Sequence, residues 1–157
     1  GANIGITAAH YQAMWPDATV WMVEPNPDNL WLACRNAPRG IPLGVAVGTD
    51  TGRGFLQEEG HSPDAYCLGG EGRSVYVLAL DLLVHKVGGV DFCKMDIEGT
   101  EWDVLDQLDG ITYLLVEFHG EPRDYPAILE RGMDALSARG WRVEHHLPHP
   151  AAVFACR

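Results

Sequence analysis

The segment Asp91-Phe-Cys-Lys-Met-Asp-Ile-Glu-Gly-Thr-Glu101 carries five ionisable side chains: Asp91, Lys94, Asp96, Glu98 and Glu101. They fall where a strand is predicted to end and a helix to begin. Charges buried at such an edge without partners are expensive. A chain that only had to fold would carry Val, Ile or Leu there. In open α/β sheets, ligands bind outside the carboxyl ends of the strands, so the segment reads first as a site. Period-two alternation puts Lys94 and Asp96 on one face of the strand and Met95 and Ile97 on the other. An Asp at a strand tip can be held ionised by a nearby Lys, or poised as a base by partial burial. Glu98 and Glu101 sit at the mouth of the next helix, where acids also favour the helix start.

A second polar tip, Glu117-Phe-His119, ends the most apolar strand of the chain. Alternation points Glu117 and His119 to the same side. Histidine titrates near neutrality and suits proton transfer. Asp96 and His119 are therefore the candidate bases, with Glu117 orienting His119. A divalent ion bridging Asp96, Glu117 and His119 is chemically competent, but nothing in the spacing demands one. The remaining cluster, His145-His146-Leu-Pro-His149, reads as a surface hairpin, because neighbouring strand residues face opposite sides.

A third constellation opens the chain. Gly1-Ala-Asn-Ile-Gly5 leads into a helix, so glycines allow close backbone approach and the helix N-terminus offers N–H donors. Its Gly-x-x-x-Gly spacing is neither the dinucleotide fingerprint nor the lysine-bearing phosphate loop. About twenty residues on, Glu24 ends a strand, where an acid can accept both hydroxyls of a ribose. Loop and acid together point to a nucleoside-containing cofactor.

The elements that must position these residues alternate between strand and helix. Helices are predicted over Ile6 to Met14, from Asn26-Pro27-Asp28 to about Asn36, over Leu80 to Lys86, Thr100 to Leu108 and Tyr125 to Ala138. Strands are predicted over Thr19 to Val23, Ile41 to Val47, Val75 to Ala79, Val90 to Ile97 and Ile111 to Phe118. Trp141 to His146 and Ala152 to Cys156 form a closing hairpin. The glycine-rich stretch from Gly48 to Gly72 reads as loop or a weak hairpin; within it and at its edge, His61, Tyr66 and Arg73 are candidate acceptor contacts. Such alternation implies a mainly parallel α/β sheet with helices on both faces.

The chain of 157 residues has room for one domain with a real core. Its net charge is −11, with Lys86 and Lys94 its only lysines. That balance opposes a nucleic-acid partner, which needs a basic face, and suits a neutral or cationic ligand. No apolar run approaches the roughly 18 residues of a membrane span, and the opening residues do not read as a signal peptide. Cys34, Cys67, Cys93 and Cys156 are widely spaced, as expected of a reduced, cytoplasmic protein without a cysteine zinc site.

Taken together, Gly1-Ala-Asn-Ile-Gly5, Val23-Glu-Pro-Asn-Pro27 with Asn29 and Asn36, Leu80-Asp-Leu-Leu83, Lys94-Met-Asp-Ile-Glu-Gly-Thr-Glu101 and Val116-Glu-Phe-His119 resemble FkbM-type methyltransferases over nearly the whole chain. The Lys-x-Asp-x-Glu-Gly-x-Glu segment is the most specific part. The resemblance implies a class I, Rossmann-like S-adenosylmethionine-dependent fold, seven-stranded with one antiparallel strand near its edge. It implies an O-methyltransferase acting on a hydroxyl of a sugar or natural product. Gly1, Asn3 and Gly5 would line the cofactor's amino-acid end. Glu24, followed by Pro25, would hold the ribose diol, and Val47 with Gly48 would flank adenine. The family places an apolar strand and an acid just before the first glycine. Both are missing here, so residues 1–157 are expected to be a single methyltransferase domain, N-terminally truncated.

The leading expectation is thus a small-molecule or glycan O-methyltransferase with Asp96 and His119 as candidate bases. A nicotinamide-dependent oxidoreductase would use the same loop and Glu24 but a different glycine spacing. A non-catalytic binding module on a decayed methyltransferase fold is the other alternative, motivated by the missing first strand.

Overall fold

The computed structural model describes residues 1–58, 66–69, 72–120, 124–147 and 151–157. Gly1–Val47 with Thr51–Leu78 forms one unit, and Gly48–Asp50 with Ala79–Arg157 forms the other.

In the first unit, helix α1 (Ile6–Met14) is followed by strand β1 (Trp21–Val23), helix α2 (Pro27–Asn36) and strand β2 (Ile41–Leu43). The start of α2 is set chemically. Asn26 accepts the Asp28 N–H at 2.9 Å, and Pro27 occupies the first turn, where its missing N–H costs nothing. β1 and β2 run parallel, with Trp21 opposite Ile41 and Val23 opposite Leu43. Met22, Ala8, Ala33 and Ala37 form the buried cluster beneath them. These small side chains let the start of α1 press on α2. A Cβ on Gly5 would fall 2.6 Å from the Ala33 Cα, and Gly5 has a φ of +82°. Only glycine meets both demands cheaply.

The single strand expected over Ile41 to Val47 is two strands, β2 and β3 (Ala46–Gly48). Pro42 cannot donate to a ladder on both sides, which suits the short edge strand β2. The glycine-rich stretch takes the hairpin alternative. β4 (Gly52–Glu58) pairs antiparallel with β5 (Tyr66–Gly69) and with β6 (Arg73–Ala79), in the order β3-β6-β4-β5.

In the second unit, helix α3 (Leu80–Val87) begins where the Gln107 side chain accepts the Leu80 N–H at 2.9 Å. Strands β7 (Val90–Met95), β8 (Ile111–Glu117), β9 (Arg142–Leu147) and β10 (Ala152–Cys156) form a sheet in the order β7-β8-β10-β9. β7 and β8 are parallel, and β10 is antiparallel to both its neighbours. The closing hairpin is therefore present as β9 and β10. Helix α4 (Tyr125–Ser137) buries Leu129 and Leu136, while Leu114, Val116 and Val153 are fully buried in the sheet.

The fold is a mixed α/β structure, and one helix expectation is corrected. Among the described residues, β1–β2 and β7–β8 pair parallel, and β8–β10, β9–β10, β4–β5 and β4–β6 pair antiparallel. Short connections join only antiparallel neighbours, whereas a parallel pair needs a long crossover. The helix expected over Thr100 to Leu108 is instead two single 3-10 turns, Thr100–Trp102 and Leu105–Gln107. Thr100, Trp102, Asp103 and Val104 are weak helix formers. Glu101 also folds its side chain back onto the preceding loop.

Phe118, just past the end of β8, is 1% exposed. Gly132 of α4 makes room for it, since a Cβ there would lie 2.5 Å from the Phe118 ring. An exposed helix position would gain about 1 kcal/mol from Gly→Ala. Here Gly132→Ala should instead lose about 1–3 kcal/mol through overpacking, measured by urea unfolding; a gain in stability would contradict this packing.

Candidate active site

In the second unit, β7 ends at Met95 and β8 at Glu117, and the residues just beyond them converge. Lys94 pairs with Asp96 Oδ2. His119 Nε2 lies 3.5 Å from Asp96 Oδ1 and 3.2 Å from Glu98 Oε2. His119 Nδ1 lies 2.9 Å from Glu101 Oε1. Lys94, Asp96, Glu98 and His119 are each partly exposed, whereas Glu101 is 0% exposed.

Glu101 also accepts the Ile97 N–H at 2.7 Å and the Gly99 N–H at 2.8 Å. These bonds hold a loop of unusual backbone, because Glu98 (φ +53°) and Gly99 (φ +100°) both lie in the left-handed region. A non-glycine residue there costs on the order of 1–3 kcal/mol and persists only where its surroundings fix it. His119 is fixed from its other side. Its carbonyl accepts the Trp102 indole N–H at 3.3 Å. Trp102 in turn packs on Phe118 at 4.4 Å between ring centroids, beneath the Arg131 guanidinium at 4.1 Å.

The electrostatics follow from this count of charges. Asp96, Glu98, Glu101 and Glu117 surround Lys94 and His119. Burial alone would push the His119 imidazole down. The Glu101 hydrogen bond, with the charges of Glu101, Glu98 and Asp96, outweighs it and raises the ring to about 9. That leaves about one ring in a hundred neutral at pH 7. Burial, reinforced by the charges of Asp96 and Glu101, also raises the Glu117 carboxyl, against the opposing pull of His119 and Lys94.

Sequence reasoning placed Asp96, Glu117 and His119 together and gave Glu117 the task of orienting the ring. The carboxylate within hydrogen-bond distance of the ring is Glu101, at 2.9 Å. Glu117 stays close enough to the cluster to feel the charges of Asp96, His119, Lys94 and Glu101. Glu101 was read chiefly as a helix-start acid. The signal that could have found it was its four-residue spacing from Ile97 across a glycine.

One ligand atom each of Asp96, Glu101 and His119 lie within 4.8 Å of one another. Asp96 also pairs with Lys94, and Glu101 also accepts the Ile97 and Gly99 N–H groups.

In the first unit, Glu24 is 5% exposed. Its Oε2 accepts the Asn3 N–H at 2.8 Å and its Oε1 the Asn26 N–H at 2.9 Å. One carboxylate thus ties the glycine loop to the turn before α2, while each oxygen keeps a second lone pair. Asn3 has a φ of +48° and its side chain accepts the Ile4 N–H at 2.7 Å. Gly1 is exposed, Pro25 is half-buried beside Glu24, and no side chain caps α1. Val47 is buried in β3, in a different sheet from β1 and β2. Arg73 pairs with Asp28 at 3.5 Å, both exposed. His61 and His149 lie outside the described residues, and Tyr66 and His145 are described only as members of β5 and β9. Among the described residues no helix is long and apolar enough to cross a membrane, and Cys34, Cys93 and Cys156 are free thiols.

Removing the Glu101 carboxylate would strand two loop N–H donors and one imidazolium. Glu101→Ala should therefore cost about 3–5 kcal/mol in urea unfolding, and Glu98→Ala, at a partly exposed site, less than about 1 kcal/mol. Equal losses would contradict the geometry.

No curated protein and no solved structure matches the chain. The family model of the methyltransferase FkbM domain matches residues 1–142. That match spans both polar strand ends and the glycine loop, and the chain belongs to the FkbM methyltransferase domain family.

Proposed function

We propose that this methyltransferase uses S-adenosylmethionine to methylate a hydroxyl of a small molecule, with a sugar or natural product as the acceptor class. The observation that carries the reading is the Lys94–Asp96–His119–Glu101 cluster past the ends of two parallel strands in a chain of this family.

The first unit suits the cofactor. A buried strand-end carboxylate with spare lone pairs, a glycine turn and an uncapped helix are the donor set that a nucleoside with an amino-acid tail requires. Gly1, Asn3 and Gly5 would meet the amino-acid end, Glu24 with Pro25 the ribose, and Val47 the adenine. When bound, S-adenosylmethionine supplies a methyl group activated by its sulfonium charge.

The second unit handles the proton. Transfer in line to an alcohol oxygen requires that oxygen to lose its hydrogen, and a placed base contributes about 10²–10⁴-fold. His119 Nε2 takes it when the ring is neutral. Asp96 and Glu98, both within 3.5 Å of Nε2, then stabilise the imidazolium that forms. Lys94 pairs with Asp96 on its other carboxylate oxygen. The acidic balance of the chain disfavours nucleic acid as the acceptor.

Calorimetry should show binding of S-adenosylhomocysteine and none of NAD; binding of NAD alone would overturn the cofactor assignment. With labelled S-adenosylmethionine and a hydroxylated acceptor found by screening, Asp96→Asn and His119→Ala should each lower turnover by about 100-fold or more while S-adenosylhomocysteine still binds. Turnover left intact in both would remove the base assignment.

The base must be deprotonated, so activity is present above its pKa and lost below it. kcat/KM reports the free enzyme and should rise from pH 7 and level off above about 9. A limb near the ordinary histidine value would contradict the coupling to Glu101.

A further inference from the structure

A carboxylate that is 0% exposed must find compensation inside the protein. Two backbone N–H groups give part of it, and the ring of His119 gives the rest. The ring is therefore not a free rotor at a strand end. Its Nδ1 is spoken for by a buried acceptor, while its Nε2 faces the partly exposed side with Asp96 and Glu98. An acid on one ring nitrogen fixes both the tautomer and the plane of an imidazole.

We propose that Glu101 is the positioning residue of this site: it holds His119 in the Nδ1–H tautomer, so that Nε2 is the one atom able to exchange a proton with the acceptor. The acceptor's part rests on the methyltransfer reading above; the tautomer does not. The charged groups facing the ring are Glu101, Glu98 and Asp96 in contact, with Glu117 and Lys94 in the same cluster. Glu98 is the informative comparison. It touches the other nitrogen, at 3.2 Å against 2.9 Å for Glu101, so it adds charge and pulls toward the opposite tautomer from a longer distance.

The test needs no substrate. Nitrogen NMR of the ring, assigned by its loss in His119→Gln, gives both the titration midpoint and the tautomer above it. The wild-type ring should titrate near 9 and, once neutral, carry its hydrogen on Nδ1. Glu101→Ala should lower the midpoint by at least about one unit and release the ring to the Nε2–H form that an unconstrained histidine prefers. Glu101→Gln keeps the side-chain length and one accepting oxygen, and should lower the midpoint by a similar amount through loss of charge. Glu98→Gln should lower the midpoint less and keep the Nδ1–H form. A wild-type ring neutral as Nε2–H, or a midpoint unmoved in Glu101→Gln, would overturn the proposal. An NMR result as expected beside an enzyme whose pH profile ignores His119 would instead sink the base assignment and leave the positioning intact.

Discussion

The second unit is organised around one buried charge. Glu101 has no exposure, and everything near it answers that fact. The loop after β7 bends through two left-handed residues to present the Ile97 and Gly99 N–H groups to its oxygens. The chain leaving β8 brings His119 to the same carboxylate. Phe118 can turn inward there because Gly132 has no side chain, and Trp102 locks the exit through the His119 carbonyl. The energetic logic is that of a buried pair: its worth lies less in Coulomb attraction than in the cost of breaking it. Such a pair specifies a geometry more than it stabilises a fold.

The first unit repeats the device with different chemistry. Glu24 is also nearly buried and also pins two loops through backbone N–H groups. Among the described residues no imidazole hydrogen-bonds to it. One acid thus faces an internal cation and the other suits a hydroxylated ligand. This difference divides the proposed labour between proton handling and cofactor holding.

Much of this was legible in the sequence. The Lys94-x-Asp96 alternation gave the ion pair, Asn26-Pro27 gave the start of α2, and the apolar run from Ile111 gave β8. What was not legible depended on long-range closure. The partner of His119 is 18 residues away, whereas local periodicity can offer only a near neighbour such as Glu117. The antiparallel β4–β5 pairing was legible only as one of two alternatives, because glycines leave no alternation to read. The split of the Thr100 to Leu108 helix was hidden because a side chain that folds back on the backbone looks, in sequence, like any helix-start acid.

The site depends on the Glu101–His119 pair being an ionic one. Urea unfolding of the wild type and of His119→Gln across pH 5 to 10 measures this directly. The folded-state pKa of His119 is raised from 6.5 to about 9. Its contribution should therefore be complete below about 6.5 and be lost as pH rises through about 9. The gap between wild type and His119→Gln should be widest in mild acid and shrink steadily toward pH 10. A gap that is the same at every pH would mean that the ring titrates alike in the folded and unfolded chain, and a gap that narrows in acid that it is neutral when folded; either would contradict an ionic pair.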